Sequence, residues 1–511
     1  MVFASLFFIY VFFVLNLIFY TAVRNEKIVW RNGVMLVFSL IFYAFVGPKY
    51  ILLLLGETLI SYLCALGIGK TAGRSGRKLL LCLDIVLLLG LLGYFKYAGF
   101  LVANYNLLPF PDLKVPEIAP VVGISFYTFQ LISYTVDVYR EEVKPQKSYL
   151  KLLLYTSMFH QCIAGPIVRY SSVQKELNSR RPSSTDVYEG ILRFSVGLAK
   201  KAVLANGVAS VAKLLIPDDP TSLQAAPALS VILGIFCFTL QIYLDFSAYS
   251  DMAIGMGRML GFHYPENFNY PYIAYSVTDF WRRWHISLST FFRDYVYIPL
   301  GGNRKGFLRT ILNLLAVWFL TGLWHGASWN YVLWGMYYFV ILVIEKCVGA
   351  LIRGMQNRSA AKNENEAAKG ETEKTPTEKE PAAKKKIPIP LWILGTCYTM
   401  VLVIIGWGIF YFEQTDLMIA AGKSIFLAQK WYDTNTVQIF INHLFLLIVA
   451  TLACFPIWKG LRSIWQKLSE KHSAMIAVGG IVDILVMAVC MLLATMALAG
   501  NTYNPFLYFR F

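Results

Sequence analysis

Charge is scarce in this chain. Asp, Glu, Lys and Arg make up 15% of its 511 residues against 57% hydrophobic residues, and the mean hydropathy is +0.54, far more apolar than an ordinary soluble domain. The chain therefore reads as an integral membrane protein. Cysteine is sparse and unorganised. Eight are scattered singly through apolar segments, with no C-x-x-C pair and no Cys/His ligand spacing, which argues against a disulfide frame or a metal centre. There is no G-x-S-x-G nucleophile and no H-E-x-x-H zinc helix. GMGRMLG, at 255–261, has glycines like those of a dinucleotide fingerprint, but it follows an apolar helix rather than a strand, so close helix packing explains it better. GGNRKG, at 301–306, lacks the Walker A spacing. It reads as a turn at the lipid phosphates, or as a contact for the phosphates of a donor such as coenzyme A.

The net charge of +16 would point to nucleic acid in a soluble protein. Here the basic residues cluster in short connections between apolar runs, the positive-inside pattern, so the implied partner is a bilayer and not nucleic acid. No basic residue precedes the first run, which is too long for a signal h-region and reads as a retained span. With the basic loops 24–31, 74–78 and 140–151 in the cytoplasm, the crossings are 2–22, 33–47, 51–68, 79–95 and 121–139. The segment YLKLLLYTSMFHQCIAGPIVRY has basic residues on both flanks and a Gly165-Pro166 break, so a re-entrant or tilted helix is expected. Residues 190–216, interrupted by Lys200-Lys201, go out and 226–244 return. The long connection 263–306, where aromatics alternate with arginines, is expected to lie in the cytoplasmic interface. Crossings at 308–323, 329–349, 391–412, 437–457 and 474–499 bring the count to about twelve, in an all-α polytopic fold with re-entrant and interfacial helices. Residues 351–388, rich in Lys, Glu, Ala and Thr, read as an unfolded cytoplasmic linker.

Six histidines are present. His325, in FLTGLWHGASWNYVLWG, falls in a tight hairpin between two crossings, where a buried imidazole is either a functional group or a structural donor to a neighbouring helix. His285, in WRRWHISLS, falls on the cytoplasmic side, either fixing the loop or serving a reaction. One histidine reachable from each face suits a donor arriving from the cytoplasm and an acceptor waiting outside, because an imidazole can take a hydroxyl proton and return it to a leaving group. His160, His263, His443 and His472 read as structural.

Five blocks, GISFYTFQLISYTVDVYR, FHQCIAGPIVRY, QIYLDFSAYSDMAIGMGRMLGF, TDFWRRWHISLSTFFRDYVYIPLGGNR and LTGLWHGASWNYVLWG, resemble in order and spacing those of the membrane-bound O-acyltransferase (MBOAT) family, across about residues 120–345. The resemblance is strongest to the branch that acetylates alginate and, next, to the branch that moves D-alanine to teichoic acid. It implies a membrane core over 1–350, the linker 351–388, and C-terminal transmembrane helices with an outer aromatic tail over 389–511. It also implies that His325 is the family's catalytic histidine and His285 its second histidine. No resident cofactor or metal is implied. The acyl donor is a co-substrate, acetyl-CoA or an acyl-carrier thioester, and the acceptor is a polysaccharide of the bacterial cell surface. The implied partners are an extracytoplasmic esterase-like acyltransferase and, for a carrier-borne donor, a cytoplasmic acyl-carrier protein. The terminal FLYFRF resembles an aromatic motif whose tyrosine, here Tyr508, is proposed to carry the acyl group. A phenol leaves more readily than a sugar hydroxyl, so the chemistry allows it, although the same aromatics also suit interfacial anchoring.

Overall fold

The computed structural model describes residues 2–367 and 388–500, apart from the single positions 46, 164 and 473. Helices account for nearly all of its regular structure, and there is no strand among the described residues. The first half runs α1 (Phe13–Ala22), α2 (Ile28–Ala44), α3 (Ile51–Lys70), α4 (Arg74–Leu92), α5 (Ala98–Tyr105), α6 (Ile124–Tyr139), α7 (Tyr149–Ser157), α8 (Phe159–Cys162), α9 (Tyr170–Asn178), α10 (Ser184–Ala199) and α11 (Asn206–Leu215). The second half runs α12 (Pro220–Ala225), α13 (Ala228–Met259), α14 (Val277–Arg283), α15 (Ile286–Phe292), α16 (Phe307–His325), α17 (Trp329–Ala367), α18 (Ile389–Tyr411), α19 (Thr415–Phe426), α20 (Thr434–Asn442), α21 (Leu444–Ala453), α22 (Ile457–Lys471) and α23 (Ala474–Gly500).

Among the described residues seven helices are long and apolar enough to cross a membrane, or eight if α20 and α21, bent by 58°, form one span. The other expected crossings are helical but shorter or broken. Phe8–Ala22 and Ile28–Ala44 are apolar helices below that length, α6 has 16 residues, and 190–216 is divided by a π-helical turn at Lys200–Ala205.

The loops gather at two ends, and hydrogen bonds show which belong together. At the basic end Arg77 pairs with Glu141 at 2.5 Å, Arg181 with Glu26 at 2.9 Å and Arg169 with Asp294 at 2.6 Å. At the opposite end the Tyr50 hydroxyl donates to the Ala119 carbonyl at 2.9 Å, the Trp329 indole to Asn104 Oδ1 at 2.8 Å and the Ser424 hydroxyl to the Ala226 carbonyl at 2.8 Å. The segment after α6 has basic residues on both flanks. Its chain breaks at Met158, and its two flanks are tied together where Gln146 Nε2 donates to the Tyr170 hydroxyl at 2.7 Å. This broken helix, with its flanks tied together, is compatible with the re-entrant or tilted course expected of it.

The central element is α13, whose 32 residues extend about 48 Å at 1.5 Å per residue, longer than a hydrocarbon core of about 30 Å. The return crossing expected at 226–244 therefore continues to Met259. Gly190 and Gly255 let α10 and α13 touch: a Cβ added at Gly255 would lie 2.7 Å from the Gly190 carbonyl oxygen, so the glycines of GMGRMLG serve close packing. The two lysines that interrupt 190–216 answer carboxylates on α13. Lys200 meets Asp251 at 2.5 Å and Lys201 meets Asp245 at 2.9 Å, the second pair almost fully buried with side chains 1% and 3% exposed.

At the basic end the His263 ring bridges Glu176, at 2.8 Å, and Asp186, at 3.3 Å, clipping the end of α13 to α9 and α10. Partial burial opposes a charge on this ring, but the two carboxylates outweigh it and hold the imidazole above its usual range. The clip is therefore complete below about pH 6.5, the ordinary imidazole value, and fades as pH rises through the higher folded value. The melting-temperature gap between wild type and His263→Ala is expected to be widest at mildly acid pH and to narrow in alkali, as a thermal-shift series in detergent would show.

One expectation is corrected here and another is filled out. In the connection 263–306, Phe280, Trp284, His285, Leu288, Phe291 and Phe292 are buried against neighbouring helices. Its aromatics face protein, while Arg282 and Arg293 reach the surface. Helix α17 also runs on to Ala367, so the stretch expected as an unfolded linker from 351 begins as helix, consistent with the strong helix propensity of Ala, Glu and Lys.

Candidate functional site

Helices α16 and α17 form the tight hairpin that carries His325. A Cβ at Gly322 would lie 2.5 Å from the Tyr331 carbonyl oxygen, so the WHG block and the following helix meet backbone to backbone. His325 is the last residue of α16, 7% exposed. The carbonyls left open at that helix end are satisfied from a distant element. Between α4 and α5 a π-helical turn, Gly93–Tyr97, presents two consecutive side chains: Lys96 Nζ donates to the Trp324 carbonyl at 2.5 Å, and the Tyr97 hydroxyl donates to the Leu323 carbonyl at 2.6 Å. A cation at a helix C-terminus is favoured by the macrodipole. Neither residue is singled out by a reading that ends the crossing at 95; a charge inside an apolar helix is the signal that would find Lys96.

His285 arrives from another direction, at the junction of α14 and α15, and is 1% exposed. Its backbone is left-handed, with φ of 43°, a conformation that costs a residue other than glycine and concentrates at functional sites. The two histidines come from separate elements and meet inside the fold. Both are buried against one indole: the Trp324 ring centroid lies 5.6 Å from that of His285 and 4.9 Å from that of His325. Folding 263–306 inward brings them together.

Aromatic rings pack around the two imidazoles. His325 meets Trp334 at 4.9 Å and Phe410 at 5.1 Å, both edge to face, and His285 meets Phe246 at 4.6 Å. Phe410 is held by Asn330, whose Nδ2 donates to its carbonyl at 2.9 Å, so α18 is part of this packing. Among the described residues the indole nitrogens of Trp324 and Trp334 and Nε2 of His285 find no hydrogen-bond partner although buried. They share this condition with other buried polar atoms of the protein, among them Trp281 Nε1, Trp407 Nε1 and His160 Nε2, but here three of them lie beside the two imidazoles. Polar atoms left open beside two imidazoles in apolar surroundings suit a polar reactant held away from water.

A second layer supports His285. Asn267 Oδ1 lies 3.1 Å from its Nδ1 and accepts from the Ser287 amide at 3.2 Å and the Ser287 hydroxyl at 2.9 Å. The Ser287 oxygen in turn accepts the Ile167 amide of the segment after α6 at 2.9 Å. Of the remaining histidines, His160 is buried 2.8 Å from the Tyr264 hydroxyl, His263 is in the clip described above, and His443 lies 2.8 Å from the Ile439 carbonyl. Tyr508 lies outside the described residues.

Residues 140–364 match the model of the MBOAT, membrane-bound O-acyltransferase family, and His285, His325 and Asn267 all fall inside that range. The chain is 34% identical to the probable alginate O-acetylase AlgI of Pseudomonas putida over the whole length of both proteins. It is 37% identical to the peptidoglycan O-acetyltransferase of Helicobacter pylori over 60% of this chain and 63% of that one. It is 27% identical to the teichoic acid D-alanyltransferase of Bacillus subtilis over 51% of this chain and 72% of that protein. With full-length similarity at this level and a polytopic all-helical fold, the chain belongs to the membrane-bound O-acyltransferase family.

Proposed function

We propose that this enzyme O-acetylates a cell-surface or secreted polysaccharide, alginate-like in kind, with an acyl group taken from an activated donor on the basic, cytoplasmic face. The observation that carries the reading is the meeting of two imidazoles from separate elements at one buried indole, beside open hydrogen-bonding atoms. In this reading about twelve crossings embed the site in a bacterial cell membrane, and a thioester, from acetyl-CoA or an acyl-carrier protein, enters past His285. His325 takes the proton of the acceptor hydroxyl as its oxygen bonds to the thioester carbonyl carbon. The C–S bond then breaks, and the proton returns to the departing sulfur. Tyr508 is a first acceptor in this scheme, and an extracytoplasmic esterase-like partner completes delivery to sugar.

The relatives that transfer D-alanine to teichoic acid supply the alternative cargo. Incubating the purified protein with labelled acetyl and D-alanyl thioesters, and releasing the label from the polymer with mild alkali, separates the two. Acetate is the expected product. A thioester left intact by active-site-competent protein would mark a transporter instead.

Lys96 and Tyr97 act on this chemistry through the end of α16. Hydrogen bonds to charged groups contribute about 1.5–3 kcal/mol. Lys96→Met is therefore expected to slow transfer about ten-fold or more, and Tyr97→Phe less, both measured as initial rates on equal amounts of folded protein.

A further inference from the structure

We infer that Asn267 is a positioning residue that locks His285 as the Nδ1–H tautomer and leaves Nε2 as the atom that meets the reactants, as an acceptor only. The inference rests on the proposed acyl transfer. Its first step is the orientation of the amide. A backbone N–H can only donate, and the Ser287 N–H points at the Asn267 side-chain atom that also faces His285, so that atom is the oxygen. The amide nitrogen is then free to donate elsewhere, and it faces the Ser250 hydroxyl at 3.2 Å and the Gly165 carbonyl at 3.5 Å. An oxygen facing Nδ1 requires a proton on Nδ1. Ser287 Oγ also lies 3.4 Å from Nδ1, but its single O–H is given to Asn267 Oδ1 at the shorter 2.9 Å, so it has no proton left to donate to Nδ1.

In a neutral ring the proton on Nδ1 leaves Nε2 bare. That nitrogen is buried and has no partner among the described residues, so the group it serves arrives with the reactants. A bare Nε2 accepts a hydrogen bond or a proton and does not donate to a thioester carbonyl. When it gains a proton, the imidazolium keeps its Nδ1–H bond to the Asn267 oxygen. Three observations describe a ring held for this purpose: the left-handed backbone of His285, the Phe246 and Trp324 rings against its faces and edges, and an amide whose every polar atom is engaged. The titratable groups that meet the same Trp324 are His325, on its other side, and Lys96, at its carbonyl.

The test is a double-mutant cycle on the full-length protein in detergent, with labelled acetyl thioester as the probe. Asn267→Ala is expected to lower kcat on the order of 10²-fold, the lower end of what a positioned base contributes, with KM for the thioester little changed. In a His285→Ala background the same substitution is expected to do nothing more. Asn267→Asp, which keeps an oxygen facing Nδ1 and adds a charge that favours the imidazolium, is expected to restore much of the rate and to move the acid limb of the kcat/KM profile to higher pH. Equal losses from Asn267→Ala with and without His285, or an Asn267→Asp profile that coincides with wild type, would overturn the inference. If His285→Ala itself retains wild-type rate, the inference fails because Nε2 does not meet the reactants; if His325→Ala retains it, the proposed reaction is at fault. If His285→Ala is slow and Asn267→Ala is not, the positioning role alone fails.

Discussion

Replacing His325 with alanine is expected to lower O-acetyl transfer by about 10²- to 10⁴-fold, the span usual for one general acid–base group, while the protein still inserts and purifies. The ring stands at the end of α16 among Trp324, Trp334 and Phe410, so alanine removes aromatic packing along with the base. His325→Gln keeps most of the volume and polarity and is expected to be as inactive with a melting temperature nearer to wild type. The pair separates chemistry from packing. Should glutamine restore transfer while alanine does not, the ring is filling space. Acetyl content of the polymer in cells, with protein amount checked by blot, is the simplest readout.

The second large effect concerns the fold. Lys201 and Asp245 are 2.9 Å apart and almost fully buried, joining the π-helical turn to α13. Removing one partner of a buried pair leaves a charge without compensation, which typically costs about 3–5 kcal/mol, whereas replacing both with apolar residues of similar size is often neutral. Lys201→Met is thus expected to drop the melting temperature sharply and to reduce the amount of protein in the membrane. Lys201→Met combined with Asp245→Leu is expected to recover most of the loss. A double variant as unstable as the single would mean that the lysine and aspartate matter through other neighbours.

Much of this architecture is legible in the sequence because a membrane imposes simple rules. Long apolar runs mark the helices long enough to cross, and the placement of Lys and Arg is what the proposed sidedness rests on. The break in the segment after α6 is readable because Gly165-Pro166 interrupts an apolar run. The hairpin around His325 is readable because two apolar runs leave only a short turn between them. Long-range pairing is where reading along the chain stops. Lys200-Lys201 stands out as an interruption, but nothing local says that Asp251 and Asp245, on another helix, answer it. Alternating aromatic and basic residues over 277–293 fit an interfacial helix as well as a buried one, and only contact with Trp324, Trp334 and Trp407 decides. The same limit hides Lys96 and Asn267, which act on His325 and His285 through folded contacts rather than through any spacing in the chain. Helix α17 extends past 350 because Ala, Lys and Glu, which look like linker composition, are also good helix formers.

The central claim is that an acyl group passes from a donor at the basic face to an acceptor at the other face through the chamber where the two imidazoles meet Trp324. Proteoliposomes with the enzyme in one orientation test it most directly, with labelled acetyl thioester supplied only at the basic face and polysaccharide, with any delivery partner, only at the opposite face. The account predicts labelled ester on the polysaccharide, free thiol retained on the donor side, and loss of both with His325→Ala. Label that reaches the polymer only when donor and acceptor share one compartment, or transfer that survives His325→Ala, would contradict it.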